Sequence, residues 1–159
     1  MGRILVAIDG SKHSSRVIEY CGKQFSGMID LSLTLFHVLP NLPPRFWDDG
    51  HILTKKEKDA RQEVVDKWLE NRKLATEPML SNAIEGLTQA GIHREQIETK
   101  TIPDSTNEVT SILEEARDGG YLTLVMGRYG LSWIDEHVLG STTGKIIHRG
   151  AGLAICVVE

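Results

Sequence analysis

Gly127-Arg128-Tyr129-Gly130-Leu131-Ser132-Trp133-Ile134-Asp135-Glu136-His137-Val138-Leu139-Gly140-Ser141 is the stretch on which the reading of this chain turns. The apolar run Leu122 to Met126 leads into it and an amphipathic segment, Thr142 to Arg149, leads out, so it reads as strand, glycine loop and helix start. Gly127 and Gly130 lack a Cβ and let a ligand approach their backbone N–H groups closely. Gly140 does the same just before a helix whose first N–H groups have no intrahelical partner and carry the positive end of its dipole. Phosphate suits such a place. Ser141 adds a hydroxyl that can cap the helix or reach a phosphate oxygen.

Outward from this loop, strands and helices alternate. Ile4 to Ile8 is an unbroken apolar run closed by Asp9-Gly10-Ser11, the pattern of a central strand covered on both faces. Val17, Ile18, Cys21 and Phe25 then recur on one face of a helix from Lys12 to Phe25, with Ser11 or Ser14 available as its cap. Leu31 to Leu35 alternates before Phe36-His37-Val38, which predicts a second strand with one face less completely buried and His37 as a packed or surface histidine. Leu39 to Leu53, with its prolines and the aromatics Phe46 and Trp47, reads as a long loop and as the candidate moving element.

Ala60, Val64, Trp68 and Leu69, followed by Leu80, Ala83, Ile84 and Leu87, predict a kinked long helix, or else two helices with the second starting near Thr76 and ending at Gly91. Ile97 to Ile102 alternates and is polar on one side, as an edge strand tolerates, and Pro103 ends it. Val109, Ile112, Leu113 and Ala116 then mark a helix stopped by Asp118-Gly119-Gly120. Leu153 to Val158 closes the chain as an apolar strand.

This order predicts an α/β fold: a doubly wound, five-stranded parallel sheet of order 3-2-1-4-5, Rossmann-like, with helices on both faces and residues 1–159 as a single domain. Strands one and four rank as the most buried, strands two and three progressively less. Ligands of such sheets bind at the carboxyl ends of the strands where the order reverses, which would set Asp9 beside Gly127. The last strand, Leu153 to Val158, would be an edge with no charge or proline to protect it, so a second copy is expected to pair with it around a two-fold axis as a homodimer.

A formal net charge of −4 and the lack of a basic run give no support to a nucleic-acid surface. No apolar stretch is long enough to span a bilayer and Met1-Gly2-Arg3 carries no signal pattern, pointing to a cytoplasmic protein without membrane partners. The two cysteines, Cys21 and Cys156, read as small buried apolar residues. The six histidines have no metal spacing. Gly140 to Lys145 is no Walker loop, because Leu139 and Ile146 stand where its first glycine and its hydroxyl belong.

Glycine, two residues, glycine, nine residues, glycine and serine resembles the nucleotide-binding motif of the universal stress protein family, ATP-binding branch. Ile4 to Ser11 resembles that family's first strand with its terminal aspartate. The resemblance implies a cytoplasmic protein that binds ATP, or AMP, in a stress-response or regulatory role, and homodimers of the kind described above. It places Gly127, Gly130, Gly140 and Ser141 at ribose and phosphates, and Asp9 near the ribose or a bound Mg²⁺. Val38 falls where the second strand meets adenine. Arg128 would offer a charge to phosphate, and Thr142 and Thr143 are extra donors at the helix start. The chain departs from the family pattern at Gly144, where an acidic residue is usual, and at Ala151-Gly152-Leu153, which lacks the usual proline. Asp135 and Glu136 add two carboxylates to the spacer, facing either solvent or Mg²⁺.

Binding is the favoured function. The alternatives are a slow Mg²⁺-dependent ATPase or phosphotransferase using Asp9, with Asp135 or Glu136, to hold the metal, for which the motif offers no general base or phosphate-clamping lysine, and a nucleotide-free dimeric interaction module.

Overall fold

The computed structural model describes residues 2–39, 53–103, 107–129 and 139–159. Strands and helices alternate through them as β1 (Gly2–Ala7), α1 (Lys12–Phe25), β2 (Leu31–Leu39), α2 (Lys55–Gln89), β3 (Ile97–Pro103), α3 (Glu108–Asp118), β4 (Thr123–Gly127), α4 (Ser141–Arg149) and β5 (Ala154–Val158). The strands form one parallel sheet in the order β3-β2-β1-β4-β5, as the burial pattern of the sequence predicts. At its centre Val6 pairs with Leu35 on one side and Val125 on the other.

Because successive side chains of a strand point to opposite faces, each central strand feeds two cores. Ile4, Val6, Leu33 and Leu35 pack with Val17, Ile18 and Cys21 of α1 and Ala83 and Leu87 of α2. Leu5, Phe36, Leu124 and Met126 pack on the other face with Val109, Ile112 and Leu113 of α3 and Ile146 of α4. This layering holds the carboxyl ends of β1 and β4 together between the starts of α1 and α4.

One expectation is corrected. All nine residues of β2 are buried, so it is not the partly covered strand that its alternation suggested. Its polar residues are satisfied internally: the Tyr121 hydroxyl donates to Thr34 Oγ1 at 2.9 Å, and His37 Nδ1 donates to the Ile8 carbonyl at 2.8 Å. A paired hydroxyl or imidazole can be buried at little cost, which breaks the link between polarity and exposure.

Of the two alternatives open for the next segment, the single long helix is the one observed: α2 runs from Lys55 to Gln89 with Pro78 inside it. Its start is secured by a capping box, in which the Glu57 N–H donates to Thr54 Oγ1 and Glu57 Oε2 accepts from the Thr54 N–H. Its far end is anchored by buried Ala83 and Leu87. Both sides of Pro78 are therefore fixed in one helical register, and the proline's missing N–H is tolerated on an exposed face.

β5 lies at the edge of the sheet, with Ala154 exposed and the rest of the strand half-buried. β3 forms the other edge and exposes Glu98, Thr99 and Lys100.

Candidate functional site

Ala7 of β1 pairs with Met126 of β4, so Gly127, one residue further on, and Asp9, two residues further on, both emerge from neighbouring strand ends at the reversal of strand order. Asp9 builds the turn into α1. Its Oδ1 accepts from the Ser11 N–H at 3.0 Å and from Ser14 Oγ at 2.9 Å, and Ser14 Oγ accepts from the Asp9 N–H at 3.0 Å. The expected serine cap is corrected by the same geometry: Ser11 is the N-cap residue but makes no side-chain cap bond, and Ser14 turns back to Asp9. Gly10 takes φ +79, in the left-handed region that suits glycine.

Gly127 stands in a tight place. A Cβ there would come within 3.1 Å of His13 Cβ and 3.2 Å of the Tyr129 carbonyl. His13 lies buried beside this loop, its ring 5.4 Å from that of Tyr129, and among the described residues its Nδ1 has no hydrogen-bond partner.

At the other end of the motif, the Gly140 N–H donates to the Arg128 carbonyl at 3.2 Å, and a Cβ on Gly140 would stand 2.8 Å from that oxygen. The start of α4 is thus drawn against the end of β4, while Thr143 Oγ1 donates to the Gly127 carbonyl at 3.0 Å. Gly140, the N-cap of α4, supplies no side-chain cap. The first N–H groups of α4 and the exposed Ser141 stand at a helix start with positive dipole.

Among the expected site residues, Asp9, Gly127, Gly140, Ser141, Thr142 and Thr143 are gathered at this edge, with Val38 near the carboxyl end of neighbouring β2. The hydroxyls of Thr142 and Thr143 are committed within the protein, to Glu108 Oε2 at 3.0 Å and to Gly127. Arg128 differs from expectation: its guanidinium pairs with the Glu159 carboxylate and lies over the Tyr129 ring, 5.2 Å from the centroid. Gly130, Asp135 and Glu136, and most of the loop bearing Phe46 and Trp47, lie outside the described residues.

Glu108, His13 and Tyr129 were missed in the sequence. Glu108 reads there as an ordinary acid in the first turn of α3, and only the packing of α3 against α4 brings it to the motif. A separate groove of about 610 Å³ runs between α1 and α2, lined by residues including Gly10, Ser11, Ile18, Met79 and Ala83.

A model of the Universal stress protein family matches residues 1–151. The chain belongs to that family. No curated protein sequence matches it. Among solved structures, the hypothetical protein MJ0577 aligns at 20% identity and TM-score 0.69, over 99% of this chain and 94% of that one. A universal stress protein in complex with cAMP aligns at 19% identity and TM-score 0.62, over 99% and 96%. The universal stress protein from Archaeoglobus fulgidus in complex with dAMP aligns at 15% and 0.60, over 100% and 98%. These likenesses establish the universal stress protein fold, with its five-stranded parallel sheet, for this chain.

Within this universal stress protein, no described helix is long and apolar enough to cross a membrane. Among the described residues no group of three or more His, Cys, Asp and Glu side chains converges to hold a metal ion.

Proposed function

We propose that this universal stress protein binds an adenine nucleotide, ATP or AMP, across the carboxyl ends of β1 and β4. The observation that carries this reading is the start of α4. Gly140 brings an uncapped helix N-terminus against Arg128 and Gly127, beside Asp9, where the strand order reverses. Phosphate sits on the N–H groups of Ser141 and Thr142 and on the Ser141 hydroxyl. Ribose lies toward Asp9, and the base toward Val38. The adenine nucleotides in the related universal stress proteins support this choice of ligand.

Mg²⁺ arrives with the phosphates, because Asp9 Oδ1 already serves Ser11 and Ser14 and a single carboxylate makes no cage. The output is regulatory: the cytoplasmic protein acts in the stress response, and nucleotide favours one arrangement of its surface over another. Two copies pair through the apolar edge of β5, where Leu153 to Val158 offers unprotected strand backbone. Sedimentation at micromolar concentration tests the pairing, and a monomer there refutes it.

The ligand is tested by denaturing freshly purified protein, identifying released nucleotide by chromatography, and titrating stripped protein with ATP and AMP in a calorimeter, with and without Mg²⁺. Release or rebinding at about one nucleotide per chain is the expected result. Neither release nor binding would leave the motif as turn geometry alone.

A further inference from the structure

An acid from another helix shares the start of α4. Glu108 is the first residue of α3, behind its cap Asn107, whose Oδ1 accepts from the Thr110 N–H at 2.9 Å. Its Oε2 accepts from Thr142 Oγ1 at 3.0 Å, and Thr142 is the second residue of α4. One half-buried carboxylate therefore stands at the positive ends of two helices, its own and the one proposed to seat phosphate. It supplies internally the negative charge that the α4 terminus attracts. The one guanidinium in the described part of the glycine motif, Arg128, is meanwhile paired with Glu159.

We infer that Glu108 is a specificity-determining residue of the nucleotide site: its charge disfavours polyphosphate over monophosphate and makes tight ATP binding conditional on a divalent cation. The inference rests on the adenine-nucleotide reading above. A phosphate chain at Ser141 and Thr142 comes within several ångströms of the Glu108 carboxylate, where like charges at an interface with water repel appreciably. AMP brings about two negative charges and ATP about four, so the repulsion grows with the chain. Mg²⁺ on the phosphates removes most of the difference. Thr142 contributes by holding the carboxylate in place, which explains why its hydroxyl faces Glu108.

The test is Glu108→Gln, which removes the charge and keeps an oxygen that can accept from Thr142. Wild type and variant are titrated calorimetrically with AMP and ATP, each with Mg²⁺ and with EDTA. The variant should gain about tenfold in Mg²⁺-free ATP affinity and clearly less for AMP, so the ATP-to-AMP ratio rises and the effect of Mg²⁺ on ATP shrinks. Glu108→Asp retains the charge and should keep the ratio near that of wild type. Thermal unfolding of the same samples checks that each variant is folded. An unchanged ATP-to-AMP ratio in folded Glu108→Gln overturns the inference while leaving the nucleotide reading intact. A wild-type protein that binds neither nucleotide removes that reading, and the inference with it.

Discussion

Alanine introduced at Gly140 and at Gly144 should move stability in opposite directions, although the two glycines are one helical turn apart. Gly140 has φ −52, an ordinary value, so backbone strain is not the source of the effect. Its added Cβ would meet the Arg128 carbonyl oxygen at 2.8 Å and Tyr129 Cα at 3.4 Å. Both are backbone atoms and cannot rotate aside, so the end of β4 and the start of α4 must separate. Overpacking of this kind costs about 1–3 kcal/mol. Gly144 lies inside α4, and among the described residues its Cβ would find only Leu139 Cδ2, at 3.8 Å. There alanine removes the entropic penalty of a helical glycine and should gain about 0.5–1 kcal/mol. Urea unfolding followed by far-ultraviolet circular dichroism measures both, with an unchanged slope confirming that stability alone has moved. Nucleotide titration should show weaker binding for Gly140→Ala and little change for Gly144→Ala. A Gly140→Ala protein as stable as wild type, or two variants shifted with the same sign, would refute the claim that close backbone approach at Gly140 builds the site.

Tyr121→Phe leaves the buried Thr34 hydroxyl without its donor and should cost about 1–3 kcal/mol, most of it recovered when Thr34→Val is added; a double-mutant cycle with no coupling would contradict this pairing. Ser141→Ala, at an exposed position, should weaken nucleotide binding by about 0.5–1.5 kcal/mol with little loss of stability, and equal affinities in calorimetry would reduce Ser141 to a backbone donor. Burial, and secondarily the charge of Cys156, push the Cys21 thiol up to about 12 from the ordinary 9.0. Folded protein at pH 8 should therefore leave Cys21 unmodified by a thiol reagent, with reaction appearing only on unfolding. Because the unfolded chain loses this proton first, Cys21 lowers stability as pH rises above about 9, by at most about 1.4 kcal/mol per pH unit, and a flat profile from replacing Cys21 with Ala is the check.

Much of the fold was legible because burial and periodicity act locally. Ile4 to Ile8 and Leu124 to Met126 are apolar at consecutive positions, the pattern of strands covered on both faces, and this placed them at the centre of the sheet. The glycine spacing likewise marked both ends of the loop proposed to bind nucleotide, since a Cβ would be crowded at Gly127 and would strike the Arg128 carbonyl at Gly140. β2 and α2 were less transparent for physical reasons. The partners that make Thr34 and His37 buriable, the donating Tyr121 hydroxyl and the accepting Ile8 carbonyl, lie far away in sequence. Pro78 signals a helix break locally, but α1 and the Thr54 cap, acting on either side, keep the helix continuous.

By itself, then, the sequence determined the element order, the parallel sheet and the place of the glycine loop, because each depends on residue types within a few positions of one another. Only the tertiary structure decided which polar groups face that loop. Glu108 reaches Thr142 and His13 reaches Gly127 through helix packing, while Arg128 is drawn to Glu159 at the chain's far end. Side-chain charge acts through space over several ångströms, and no spacing along the chain encodes which helix start will lie beside another.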